Sequence, residues 1–271
     1  MGGIEEKIAR PVVRTLEKFS EKIPKGMAQR FHDLGQATRK AADHFDKAEG
    51  EIAGRVPVYK VEADGTVMKL VGGKFHPLHD VETEADKGSG IKEILGEDGK
   101  ASTWEKGKYT LDAEPNEKVP GDLGPKVRNP VDSTKVDPGS TPLSMATAQA
   151  RRADGEAAYG RNYVAFHYRD EGSGHNFILV GRSIPYKAHS EQYAGIPFLE
   201  KGIGGNVKAV YTERAPCDFG RNCQSWLGRY FNNGQPEVSH SFNYAKDKDV
   251  REHGELSSYL LGLFDQPLPS S

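Results

Sequence analysis

Cysteine is scarce in this sequence. Only Cys217 and Cys223 occur in 271 residues, which leaves room for one disulfide at most. A pair this close admits three readings: a disulfide in an exported protein, two free thiols, or two metal ligands. Composition favours none of them. Long apolar runs are also missing. Nothing approaches the roughly 20 residues of a membrane-spanning helix, so no span is expected. A secretory leader is not evident either, because "MGGIEEKIARPVV" carries acidic residues where a basic start and an apolar core belong. Export by a route that reads no such leader stays open. Finally, there is no excess of one charge. The formal net charge is −2, and residues 151–271 hold equal numbers of basic and acidic side chains. This excludes the broad basic footprint with which proteins bind duplex nucleic acid.

Hydrophobic residues make up 36%, and the 31 glycines and 16 prolines are unevenly spread. Mean hydropathy is −0.67. Together these describe one well-packed region joined to poorly packed segments. Residues 1–54 predict helices: Ile4, Ile8, Val12, Leu16, Phe19 and Ile23, then Met27, Phe31, Leu34, Ala41, Phe45, Ala48 and Ile52, recur at threes and fours, with Pro24 and Gly26 at a turn between. Residues 55–82 predict a small β-hairpin unit, "VPVYKVEADGTVMKLV", with Asp-Gly turn chemistry. Residues 83–141 are charged, rich in Gly and Pro and poor in apolar side chains, and predict a long linker. Residues 142–271 change character. "RNYVAFHYRD" and "HNFILVGRSI" are strands joined by "EGSG". "HSEQYAGIPFLEK" is a helix that Gly195 and Pro197 bend or shorten, "VKAVYTERA" a strand, "CQSWLGRYF" a helix, "EVSHSFNYA" a strand and "DVREHGELSSYLLGLF" a closing helix. The order β-β-α-β-α-β-α predicts an α/β fold with helices layered on a sheet.

The chemistry concentrates at the starts of two of these helices. One begins with His189 and Glu191; the other follows "TERAPCDFGRNC", which holds both cysteines. Neighbouring strands bring the two starts to one sheet edge. An imidazole and two thiolates suit zinc, and three protein ligands leave a fourth position for water, as catalytic zinc sites require. His189 and Glu191 stand about 200° apart on a helix, so they meet only if the metal lies off its N-terminus. Glu191 is then a proton carrier and not a ligand.

His-x-Glu followed by Pro-Cys…Cys resembles the signature of the zinc nucleoside and nucleic-acid deaminases. "HSEQ" with "YTERAPCDFGRNC" is similar, more narrowly, to the deaminase domains of bacterial polymorphic toxins, in which Ser follows the His and Thr/Ser-Glu-Arg leads into Pro-Cys. The likeness spans roughly residues 145–265. The chain departs from the signature in one respect: five residues, not two, separate the cysteines. A continuous helix would set them about 240° apart. Gly220 and Asn222 instead predict a loop, with Cys217 before it and Cys223 opening the helix.

The resemblance implies a three-layer α/β/α cytidine deaminase-like sandwich at 142–271, preceded by a helical trafficking segment and a linker. It implies Zn²⁺ on His189, Cys217 and Cys223, with Glu191 as the catalytic acid–base. The implied reaction is hydrolytic deamination, foremost cytosine to uracil in single-stranded DNA, by a secreted toxin delivered into a competitor's cytoplasm and neutralised in its producer by an immunity protein. The balanced charge also fits a flipped base or a free nucleotide. Candidate substrate contacts are His175 and Asn176 at the start of the second strand, Ser183 and Tyr186 ahead of the helix, Arg214 as a phosphate ligand, and Phe219 as a stacking surface. Glu213 flanks the site. Trp226, Tyr230 and Phe231 are further aromatics, of which Trp226 and Phe231 have core spacing, and His240 lies in a strand away from the ligands. Two alternatives stand beside this reading: deamination of a free nucleotide or of a base in RNA, and a secreted binding module stapled by a Cys217–Cys223 disulfide.

Overall fold

The computed structural model describes residues 56–111, 130–157, 160–231 and 233–265. The helices expected over 1–54 lie outside the described residues. The strands form one eight-stranded mixed sheet in the order β3-β2-β1-β6-β5-β7-β8-β4. These are β1 (Val58–Val61), β2 (Val67–Val71), β3 (Lys74–Pro77), β4 (Thr134–Lys135), β5 (Tyr163–Arg169), β6 (Asn176–Arg182), β7 (Val207–Arg214) and β8 (Glu237–Phe242). The helices are α1 (Leu78–Val81), α2 (Glu84–Ser89), α3 (Pro142–Ala153), α4 (Ser190–Glu200), α5 (Cys223–Tyr230) and α6 (His253–Asp265).

The central strands are apolar on both faces, as strands covered on both sides must be. Along β5 the side chains alternate between two cores. Tyr163 and Ala165 pack with Leu143, Met145 and Ala146 of α3, while Val164, Phe166 and Tyr168 pack with Phe198 of α4 and Trp226 of α5. Helix α6 packs Leu256, Leu260 and Leu263 with Phe242 of β8 and Ala148 of α3. The result is helices on both faces of the sheet, the expected α/β layering. Helix α3 starts at a reciprocal cap. Ser144 N donates to Thr141 Oγ1 at 3.1 Å and Thr141 N to Ser144 Oγ at 3.0 Å, with Pro142 in the first turn. Helix α4 runs through Pro197 to Glu200. Gly195 serves close packing, not a bend: a Cβ there would lie 2.9 Å from the Trp226 ring and 3.1 Å from Phe231.

Two expectations about the first half of the chain change. The hairpin at 55–82 is not a separate unit. β1 pairs in parallel with β6, Tyr59 opposite Leu179, and β3 adds a third strand. Tyr59 and Val61 are buried on one face and Val58 and Lys60 on the other, so β1 needs cover on both faces and finds it inside the sheet. The linker expected at 83–141 also gives way over its described residues. Helix α2 carries a capping box between Thr83 and Asp86, and Ile91, Ile94, Ala101 and Tyr109 join the core beneath α4 and α5. These few apolar residues all face inward, and the polar majority faces solvent. At its far end, Thr134 and Lys135 form the edge strand beside β8.

Candidate active site

β5 is antiparallel to β6 and β7, with Tyr163 opposite Arg182 and Val164 opposite Thr212. β8 runs parallel to β7, with Phe242 opposite Arg214. The start of β5 and the ends of β6, β7 and β8 therefore meet at one sheet edge. A cavity of about 250 Å³ opens there, lined among others by Asn162, Ser183, His189, Glu191, Arg214, Cys217 and Tyr244.

His189 occupies the N-cap of α4 in extended backbone and makes no capping bond, which leaves its ring to point off the helix end. Cys217 follows β7. The next residues turn through Gly220 (φ +58°) and Asn222 (φ 49°), both left-handed. Asn222 caps α5 by accepting from Ser225 N at 3.1 Å, so Cys223 is the first helical residue. Cys223 N donates to Cys217 Sγ at 3.3 Å. The five-residue spacing is thus accommodated by a left-handed loop, as the glycine and asparagine predict.

His189 Nδ1 stands 3.4 Å from Cys217 Sγ and 3.3 Å from Cys223 Sγ, and the three donor atoms lie within 4.8 Å of one another. A tetrahedral zinc with nitrogen at ~2.0–2.1 Å and sulfur at ~2.3 Å needs N–S edges of about 3.5 Å. The donor set and its spacing fit. Both cysteines are free. A hydrogen bond from the Cys223 thiol, with help from His189 and the Cys223 amide, draws Cys217 down to about 4. Cys223 is pushed well up by the same contact and by burial. Contact with the Cys217 thiolate raises His189.

Glu191 is 3% exposed in the first turn of α4. Burial, and then the neighbouring Cys217 thiolate, push its carboxyl above the usual range. Ser190 Oγ donates to Glu191 Oε2 at 2.9 Å. Asn162 Nδ2 donates to Ser190 Oγ at 2.8 Å and to Thr212 Oγ1 at 2.6 Å, and its Oδ1 accepts from Arg214 N at 3.0 Å. One asparagine therefore ties the carboxylate's neighbour to the end of β7.

The other expected residues divide. Ser183 lines the cavity and exchanges hydrogen bonds with Asn162. Tyr186 stands fully exposed at its mouth in left-handed backbone (φ 62°). Arg214 lines the cavity with its guanidinium over the Tyr244 ring, 5.5 Å from the centroid. Phe219 lies behind the rim, tilted against Tyr244 with centroids 5.6 Å apart and capped by Arg251 at 4.9 Å. His175 and Asn176 are elsewhere. They begin β6, whose seven residues span roughly 20 Å before the cavity, and they bond Glu93 and His167. Glu213 faces away from the cavity and pairs with buried Arg151. Trp226 and Phe231 are core, Tyr230 is buried, and His240 bonds Ser133 and Asn243 apart from the trio. Asn162, Thr212, Tyr244 and Arg251 were not anticipated. Asn162 could have been, since the start of β5 must share an edge with the end of β6.

The layered α/β fold thus brings a His-Cys-Cys trio that could hold a metal ion and a buried glutamate together at the ends of its strands. Residues 159–258, less than half of the chain, match the family model described as Xanthomonas-like deaminase, so this region is similar to a deaminase domain. No curated protein and no solved structure gave a match. Among the described residues no helix is long and apolar enough to cross a membrane.

Proposed function

We propose that this chain is a zinc-dependent deaminase that converts cytosine to uracil in single-stranded DNA. The carrying observation is the buried Glu191 carboxyl in the same cavity as His189 and Cys217, which form a trio with buried Cys223. Those three residues would hold the metal. Zinc bound there supplies an electrophilic centre that lowers the pKa of water towards neutrality. Glu191 takes the proton released when water adds to the amino-bearing ring carbon, and returns it to the departing ammonia. Ser190 and Asn162 fix its rotamer, and Ser183, Asn162 and Arg214 face the space a base would fill.

The rim supports a polynucleotide over a free nucleoside. Arg214 lies over the Tyr244 ring on the cavity wall, 5.5 Å from its centroid, with Arg251 and Phe219 packed behind. Aromatic faces interleaved with guanidinium groups suit unstacked bases and their phosphates. The toxin role, delivery into a competitor cell and an immunity partner rest on the resemblance of the His-Ser-Glu and Thr-Glu-Arg-Ala-Pro-Cys segments alone. Sequencing DNA and RNA after brief expression in cells lacking uracil repair tests the reading. The expected result is C-to-T transitions in DNA only. Edits confined to RNA would move the substrate, and an absence of edits with free cytidine consumed would replace the polynucleotide with a nucleoside.

A further inference from the structure

We propose that residues 104–111 form a strap that positions the two metal-bearing helices, an inference that rests on the metal reading above. The segment lies outside the residues similar to a deaminase domain, within the longer stretch 83–141 whose composition predicts a linker. Three side chains at helical spacing on α5 donate to three consecutive carbonyls of the strap. Trp226 Nε1 donates to Tyr109 O at 2.8 Å, Arg229 Nη1 to Leu111 O at 2.6 Å, and Tyr230 Oη to Thr110 O at 2.7 Å. The Tyr109 ring packs edge-on against Tyr230 with centroids 5.4 Å apart. Tyr109 is buried with left-handed backbone (φ 52°), a conformation that a non-glycine residue keeps only where its surroundings impose it.

The strap also reaches the other metal-bearing elements. Lys108 Nζ pairs with Glu200 Oε1 at 2.6 Å, at the last residue of α4. The Arg221 guanidinium, in the loop between the two cysteines, lies 5.1 Å from the Trp104 ring centroid. An eight-residue helix is marginal by itself, so its placement comes from its contacts. Helix α5 presents Cys223 at one end and is tied to the strap along its length; α4 presents His189 at one end and is tied at the other. The strap therefore sets the separation of the two helix starts, and with it the distance between the donor atoms.

The test is zinc release from the full chain into an excess of chelator, comparing wild type, Arg229→Met/Tyr230→Phe, and Tyr211→Phe. The double variant removes two of the three strap donors and keeps the Tyr230 ring. Tyr211→Phe removes a buried hydroxyl contact to Ser241 (2.8 Å) on the opposite face of the sheet and serves as the stability control. Groups that orient metal ligands typically contribute 10–100-fold to metal affinity, so release should quicken about tenfold in the double variant and not in the control. If the double variant does not fold, Tyr230→Phe alone should quicken release about threefold on the same reasoning. Release at the wild-type rate, or equal acceleration in the control, would overturn the strap. A wild-type chain that holds no zinc would remove the metal reading and the strap with it.

Discussion

Arg151→Met should be among the most damaging single changes outside the metal trio. Arg151 and Glu213 are both buried to within 1%. The guanidinium donates from Nε to Glu213 Oε1 at 2.7 Å and from Nη2 to Oε2 at 2.6 Å. It also bonds the carbonyls of Glu156 and Arg161, while Glu213 Oε2 accepts from Tyr163 N at 3.0 Å. Methionine keeps the apolar stem and leaves a carboxylate buried without its partner. Breaking such a pair costs about 3–5 kcal/mol, a fifth or more of the roughly 5–15 kcal/mol that holds a domain together. With an m-value of about 3 kcal/mol/M, a loss of about 4 kcal/mol lowers the urea midpoint by about 1.3 M. Equilibrium unfolding of the metal-free chain measures this directly. Arg151→Met/Glu213→Leu should recover the charge part of the loss but not the bonds to the carbonyls of Glu156 and Arg161 and to the Tyr163 amide, so its midpoint should fall between the other two. A single variant within about 0.3 M of wild type, equivalent to about 1 kcal/mol, would refute the reasoning.

A second prediction concerns acid stability. Burial opposes ionisation of Asp86, but hydrogen bonds from Lys69, Tyr59 and Thr83 outweigh it and hold the carboxyl at about 2. A carboxyl held below its unfolded value stabilises above that value and loses the contribution as pH falls through the folded one. Wild type should therefore exceed Asp86→Asn by about 2 kcal/mol at pH 7, with the difference shrinking between pH 4 and pH 2. A pH-independent difference would contradict the assignment. Third, a chain starting at residue 142 should not fold into a zinc-binding unit, because it lacks β1 beside β6 and the strap beneath α5; a chain starting at residue 56 should. Chelator titration and near-ultraviolet circular dichroism on both decide it, and zinc-loaded, ordered 142–271 would contradict the extended sheet.

What was legible in the sequence followed from local chemistry. The strands β5 to β8 and the helices α4, α5 and α6 carry clear apolar patterns, whereas α3, built on small alanines behind its Thr141 cap, was not anticipated; the placement of His189, Cys217 and Cys223 followed from helix-end geometry plus the loop residues Gly220 and Asn222. The rest depended on tertiary context. Ile91, Ile94 and Tyr109 are too sparse to register as a core until α4 and α5 lie over them. Lys60 in the middle of β1 is buried against Asp154 and Glu62, a pairing that nothing local in the sequence indicates. His175 and Asn176 stand at the start of β6 as expected, but that end lies away from the cavity. The connection between β5 and β6 lies at that end, and the helix with His189 follows the other, so the antiparallel register alone would have pointed to Asn162.

The central claim is that Glu191 moves protons beside a metal it does not bind. Glu191→Gln keeps the shape of a buried side chain that touches Ser190, so the purified variant should retain one zinc per chain and an unchanged near-ultraviolet spectrum. A general acid–base residue contributes about 10²–10⁴-fold, and Glu191 serves both transfers, so deamination of a cytosine-containing oligonucleotide should fall by about 10⁴-fold. Deamination within about tenfold of wild type by the zinc-loaded variant would contradict the account.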